Sequence, residues 1–181
     1  MAAGTTALMD AEHMARALDD MARAIAENRR DGATLALVGI RKRGVPLAMR
    51  LAARLNDVYA ITAPVGALDI TLYRDDLSQT AHSPVLRGTH VPFPVDGVEL
   101  VLVDDVLFTG RTIRAAMDAL CDLGRPAAIR LAVLVDRGHR ELPIQPDCCG
   151  LRVRTTPREQ INVSMQETDG CDEVRRGIAD G

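Results

Sequence analysis

The segment VELVLVDDVLFTGRT, residues 98–112, decides the fold class. Its run ELVLV, residues 99–103, is apolar at every position after Glu99. Both faces of such a strand must be covered, which is the pattern of a parallel strand lying between helical layers. Asp104 and Asp105 follow at the carboxyl end of that strand, where open α/β sheets gather their ligands. The loop Val106, Leu107, Phe108, Thr109, Gly110, Arg111, Thr112 then supplies two hydroxyls, a glycine that permits close backbone approach, and the amino end of a helix. These are the parts of a phosphate cradle that lacks a lysine.

Working outward, Ile113, Met117, Leu120 and Leu123 keep a helical spacing that Gly124 and Pro126 stop, and AIRLAVLV, residues 128–135, is the next strand. Strand, helix, strand implies a right-handed crossover in a parallel sheet. On the amino-terminal side, TLALVGI at 34–40 is a strand ending in the basic turn IRKRG, after which Val45, Ala48, Ala52 and Leu55 line one helical face. Met14, Leu18, Met21 and Ile25 predict an earlier amphipathic helix capped by Asp10, behind the apolar Leu8.

Between Val58 and Tyr73 two β-rich runs, split by Pro64 and Gly66, predict two strands, the second being ALDITLY. Periodicity then vanishes from Arg74 to Pro94, a length that in a compact domain usually marks a functional loop, here read as a flexible lid. After Val135 the sequence DRGHRELPIQPDCCG is rich in charge and proline, and a short VRT strand and an INVSMQ strand follow. A small appended subdomain, a hood over about 136–168, is expected there. The last dozen residues are polar and expected to fray. The whole chain, 1–181, thus reads as one α/β domain: a parallel sheet flanked by helices, with a flexible loop at about 74–94 and the hood.

Composition narrows the function. The chain has 181 residues, 47% of them apolar, enough for a single continuous core. A net charge of −3 provides no global field for nucleic acid, so any polyanion must be held by a local cluster. With two Phe, two Tyr and no Trp, a base would meet backbone and aliphatic groups rather than a row of stacked rings. Cys121, Cys148, Cys149 and Cys171 form neither a CxxC pair nor a Cys/His zinc spacing, and no apolar run approaches a membrane span. The expectation is a soluble, cytoplasmic protein with reduced thiols and no metal held by histidine.

Neither GxxxxGK[ST] nor GxGxxG occurs, which makes nucleoside triphosphates and dinucleotides weak candidates. Paired carboxylates beside an anion cradle suit a ligand with a phosphate at one end and vicinal hydroxyls nearby, because carboxylates accept hydrogen bonds from a sugar diol. A lone pair of aspartates at a strand end is most often a capping turn, but strand, aspartate pair and Thr-Gly-Arg-Thr loop in unbroken succession are far more specific. At this point the segment resembles the phosphoribosyl pyrophosphate binding motif of type I phosphoribosyltransferases.

The similarity extends further. LDITLYRDDLS at 68–78, DVLFTGRTIRAAMDAL at 105–120 and LAVLVDRGHRELPI at 131–144 look like the PyrR family, bacterial pyrimidine attenuation regulators that also have uracil phosphoribosyltransferase activity. That resemblance, over roughly residues 8–168, implies transfer of ribose 5-phosphate from phosphoribosyl pyrophosphate to uracil. The products would be UMP and pyrophosphate, with Mg2+ carried by the pyrophosphate substrate. It implies catalytic roles for Asp104, Asp105 and Arg74, the last closing over the phosphates from the lid. Lys42, Arg43 and Gly44, with Arg41, match the family's pyrophosphate loop, although a solvated turn explains three basic residues equally well. Asp136 and Arg137 stand where the family's hood begins to read the pyrimidine.

Family members also bind the mRNA leader of a pyrimidine operon and form dimers or larger assemblies. Arg23, His139, Arg152 and Arg158 are the corresponding RNA-facing candidates here, with Arg43, Arg140 and Arg154 as further cations. Asp19 and Asp20 on the first helix, Leu151 in place of an expected Lys, and Lys42 in place of Thr depart from the family pattern and weaken the RNA face. Phe108 stands where Tyr is usual. Two other readings share these residues: a transferase for another base, which the specific DRGHRELPI segment opposes, and an RNA-binding regulator with negligible catalysis.

Overall fold

Five parallel strands cross the centre of the protein in the spatial order Val65–Leu68, Leu35–Ile40, Glu99–Leu107, Ala128–Asp136 and Cys148–Arg152, and their alternating side chains divide the core into two layers. The computed structural model describes residues 5–70 and 88–178. Within them the order is β1 (Thr6–Met9), α1 (Ala11–Asn28), β2 (Leu35–Ile40), α2 (Gly44–Tyr59), β3 (Val65–Leu68), β4 (Glu99–Leu107), α3 (Arg111–Leu123) and β5 (Ala128–Asp136). The chain then continues through β6 (Cys148–Arg152), β7 (Glu159–Ser164), α4 (Gln166–Asp169) and β8 (Glu173–Ile178). Arg74, most of the predicted lid and the TLY end of the predicted ALDITLY strand lie outside the described residues.

The period of two in β2 and β4 explains the layering. Leu35, Leu37, Val101 and Val103 face α1 and α2, meeting Met14, Leu18, Leu51 and Leu55. Ala36, Val38, Leu100 and Leu102 face the other way, onto Ile113, Ala116 and Leu120 of α3. As expected, Asp10 caps α1, its Oδ1 accepting the His13 amide at 2.8 Å.

Several local expectations are corrected. The first β-rich run is not a strand: α2 continues to Tyr59, leaving Val58 68% exposed, because the helical register that buries Leu51 and Leu55 outweighs local β preference. Beyond it Val65–Leu68 pairs parallel to β2, and Ala67 also bridges His90. Cys148–Arg152, rather than VRT, extends the main sheet, with Ala132 opposite Cys148 and Val135 opposite Leu151. The polar tail does not fray over 173–178. It forms β8, the middle strand of a second, antiparallel sheet ordered β1-β8-β7, in which Val174 is buried and the Arg176–Glu159 pair (3.5 Å) spans neighbouring strands. Val163, Met165 and Val174 insert into the layer beneath α1 and α2, so both sheets share that core. Among the described residues no helix is long and apolar enough to cross a membrane.

Candidate active site

The strand that carries the aspartate pair is longer than its sequence implies. β4 runs through Asp104, Asp105, Val106 and Leu107, with Asp104 opposite Val133 and Leu107 opposite Asp136 of β5. Leu107 is 1% exposed, and burying it keeps the backbone in the ladder past the two charges. The loop is accordingly reduced to Phe108–Gly110, and Asp104 and Asp105 sit within the last turn of pleat rather than beyond it.

Asp104 is buried at 6% exposure, while Asp105 is half-buried. Each carboxylate accepts a local amide at 2.9 Å, Asp104 Oδ1 from Asp105 N–H and Asp105 Oδ1 from Val106 N–H, which fixes both side chains against the backbone. Burial, and then the adjacent Asp105 carboxylate, push the Asp104 carboxyl well above the usual range. Acceptors held in place next to one another are suited to the two hydroxyls of a sugar.

The cradle follows directly. Gly110 caps α3 at φ 93° and offers no side chain of its own to the helix amides. Its neighbours Leu142 and Ile144 stand at ordinary contact distance from where a Cβ would be, and the left-handed backbone is what requires glycine. Thr109 Oγ1 accepts the Arg111 amide at 3.3 Å, and Thr112 lies half-buried on the first turn. The loop is braced from outside by residues after β5. Glu141 and Leu142 amides donate to Thr109 O (2.9 and 3.2 Å), Arg140 Nη1 donates to Phe108 O (2.9 Å), and Arg111 Nε pairs with Glu141 (2.6 Å).

The basic turn reaches the same place through two glycines. Gly39 in β2 lies opposite Val103, and a Cβ on it would collide with the backbone of Gly44 and Val45. A Cβ on Gly44 would in turn strike the Val103 carbonyl. These absences of side chain let α2 begin directly on the sheet beside Asp104. Lys42 is exposed, and the Arg41–Lys42 peptide is cis. The Arg43 guanidinium does not point freely outward: its Nε and Nη2 donate to Asp169 of α4 at 3.1 and 3.0 Å.

Asp136 and Arg137 are tied into the wall of the site. Asp136 Oδ1 accepts from Gly138 N–H (3.0 Å) and pairs with Arg140 (2.6 Å). Arg137 is 5% exposed. Its Nε and Nη2 donate to Thr155 Oγ1 (3.3 Å) and Thr156 O (3.1 Å), and its guanidinium lies 3.9 Å over the Phe108 ring. Their side chains therefore order the strand end and the Phe108 ring. His139, at φ 60°, meets Thr155 O through Nε2 at 2.6 Å and Phe108 edge-on at 6.0 Å.

Of the remaining cations, Arg152 at the end of β6 lies opposite Asp136 in the sheet. Arg23 on α1 pairs with Asp20 (2.8 Å), and Arg152 and Arg158 are exposed. Asp19 is occupied by Arg54 at 2.7 Å, so both acidic departures on α1 are at least partly neutralised, and Leu151 is half-buried against the α1 layer. Gly39, Arg140, Thr155 and Asp169 were not singled out as site-shaping by the sequence. Gly39 alone carries a signal, a glycine inside an apolar strand.

Comparison with known proteins is consistent with this geometry. Residues 4–168 match the family model described as phosphoribosyl transferase domain. A relative from Pelotomaculum thermopropionicum, named bifunctional protein PyrR, is 55% identical over 174 residues, covering 96% of each chain. A protein of the same name from Deinococcus deserti is 52% identical, over 96% of this chain and 95% of its own. The hypoxanthine phosphoribosyltransferase of Trypanosoma cruzi shares the fold at TM-score 0.70 with 17% identity, over 97% of each chain. A hypoxanthine-guanine phosphoribosyltransferase from Bacillus anthracis does so at 0.70 with 15% identity, over 99% of this chain and 100% of its own.

Proposed function

Because the chain belongs to the phosphoribosyl transferase domain family, and within it to the PyrR family, we propose that it transfers ribose 5-phosphate from phosphoribosyl pyrophosphate to uracil, releasing UMP and pyrophosphate. One observation carries this reading. Asp104 and Asp105 stand on the central strand, just before the Phe108–Gly110 loop and the amino terminus of α3, with the Arg41–Gly44 turn seated against the same strand.

In this arrangement the 5-phosphate lies on the amides of Thr109–Thr112 and the Thr109 and Thr112 hydroxyls, where the helix dipole favours an anion. The ribose hydroxyls donate to Asp104 and Asp105. The pyrophosphate meets the backbone and Lys42 of the basic turn, near Arg43, and the family resemblance assigns Arg74, outside the described residues, to the same phosphates. As the C1–O bond to pyrophosphate breaks, positive charge develops on the sugar, which the two carboxylates stabilise, while uracil N1 forms the new bond and its proton passes to the departing pyrophosphate. No covalent nucleophile is needed, and catalysis rests on positioning and on neutralising the leaving group. Among the described residues no group of three or more His, Cys, Asp or Glu could hold a metal. Mg2+ carried by the pyrophosphate substrate would supply charge neutralisation at the leaving group.

Uracil sits below the segment 136–144, met by backbone groups that Arg137 and Arg140 hold in place. The second activity, control of a pyrimidine operon by binding its mRNA leader in response to uridine nucleotide, uses Arg23, His139, Arg152 and Arg158 in a cytoplasmic homo-oligomer. A substrate panel with phosphoribosyl pyrophosphate and magnesium tests catalysis. Turnover of uracil is expected, and turnover of hypoxanthine without uracil would overturn the base assignment. A gel-shift with the leader RNA, with and without UMP, tests regulation: a shift at moderate salt supports it and none refutes it.

A further inference from the structure

Arg43, Arg50 and Arg54 follow one another at steps of seven and four along α2, a single stripe on the helix. The segment 165–172, between β7 and β8, lies over the first part of that stripe. Arg50 donates to both Glu167 oxygens (2.8 and 2.7 Å) and both Asp172 oxygens (2.9 and 2.9 Å). Arg43 gives its Nε–Nη2 edge to Asp169. Asp169 is itself held, accepting from Met165 N–H (2.9 Å) and Thr168 Oγ1 (2.7 Å). The Arg43 guanidinium, with these two donors, holds the Asp169 carboxyl far below the usual carboxylate range.

We infer that Asp169 is a positioning residue for diphosphate recognition: through Arg43 it fixes the Arg41–Gly44 turn in the form that meets the pyrophosphate group. The inference rests on the transferase reading above. The Arg50 pairs already anchor the strap to α2, so the contact at Arg43 adds something different, namely the orientation of the residue at which the turn becomes helix. With its fork edge committed to a carboxylate, Arg43 cannot offer the same edge to a phosphate. It serves as a brace, leaving Lys42 and the backbone of the turn to the ligand.

The test measures the KM for phosphoribosyl pyrophosphate and, by calorimetry, the Kd of magnesium pyrophosphate, with unfolding midpoints as a folding check. Asp169→Ala is expected to raise both constants about fivefold or more while kcat stays within about twofold, the pattern of lost uniform binding. Asp169→Glu recovers most of the loss. In an Arg43→Ala background Asp169→Ala adds nothing further. Glu167→Gln, which loosens the strap without touching the turn, leaves both constants unchanged. Should Asp169→Ala fail to fold, Asp169→Asn carries the same prediction. Tighter pyrophosphate binding in Asp169→Ala, an unchanged KM, an effect that persists without Arg43, or an equal effect from Glu167→Gln overturns the inference. Those results with an active wild-type chain leave the transferase reading standing, whereas a wild-type chain that neither turns over nor binds pyrophosphate removes both.

Discussion

Gly44→Ala perturbs the site without altering any charged group. Gly44 does not need glycine for its backbone angles; it needs it for space. A Cβ there would lie 3.3 Å from the Val103 carbonyl carbon, 3.4 Å from Asp104 Cα, and closer still to the Val103 carbonyl oxygen. Restoring ordinary contact with that oxygen takes about 1 Å of separation. β4 is paired on both sides, with β2 and β5, and cannot yield, so the movement falls on the Arg41–Gly44 turn and the start of α2. A displacement of about 1 Å in a positioning element costs on the order of 100-fold in kcat/KM, or roughly 2.7 kcal/mol of transition-state stabilisation. Overpacking the helix–sheet contact costs about 1–3 kcal/mol of stability besides. UMP formation against phosphoribosyl pyrophosphate concentration, together with urea unfolding, reads both quantities. Gly177→Ala on β8, where no atom lies within 4 Å of the added carbon, is the control and should change stability by no more than about 0.5 kcal/mol. Activity of Gly44→Ala within about threefold of wild type would refute the claim that this contact sets the turn.

Other outcomes follow from the same structure. Asp104→Asn combined with Asp105→Asn should abolish UMP formation while circular dichroism and cooperative unfolding are kept; retained turnover would show that the carboxylates do not meet the ribose. Burial and then Asp105 raise the Asp104 carboxyl in the folded chain, so its stabilising contribution is complete below the ordinary carboxylate pKa and is lost as pH rises through the folded value. Asp104→Asn should therefore gain stability relative to wild type as pH rises from about 4, and a pH-independent difference in urea unfolding would contradict the assignment. At the opposite end of β4, Glu99 has no exposure, and its carboxylate is met by Arg130 Nε and the Arg30 amide. Burial would raise Glu99, but these donors outweigh it and hold the carboxyl below the usual range. Arg130→Met should cost about 2–3 kcal/mol of stability with turnover unchanged, and a loss under about 0.5 kcal/mol would show the pair to be dispensable.

The parallel sheet was legible because its central strands are apolar on both faces, as in LVLV at 100–103 and LAVLV at 131–135. The edges were not. Cys148–Arg152 is half-buried at most, and β8 alternates a buried Val174 with arginines whose charge conceals a strand in a composition-based reading. Val58 and Tyr59 misled in the other direction, since β-branched and aromatic residues at a helix end follow the helix when its buried face is strong. Within the site, the aspartate pair, Gly110 and the basic turn were visible as a linear pattern. The pairing of Arg43 with Asp169, 126 positions away, and the clamp of Arg137 on Thr155 and Phe108 were not, because side chains that meet only through tertiary folding leave no spacing in the sequence.

The most direct test is the steady-state rate of UMP formation by the purified chain from uracil, phosphoribosyl pyrophosphate and magnesium, measured beside its Asp104→Asn/Asp105→Asn variant. UMP should accumulate with equimolar pyrophosphate, saturably in both substrates, and the variant should be inactive though folded. No UMP from the wild-type chain, or equal rates from the two proteins, would contradict the account.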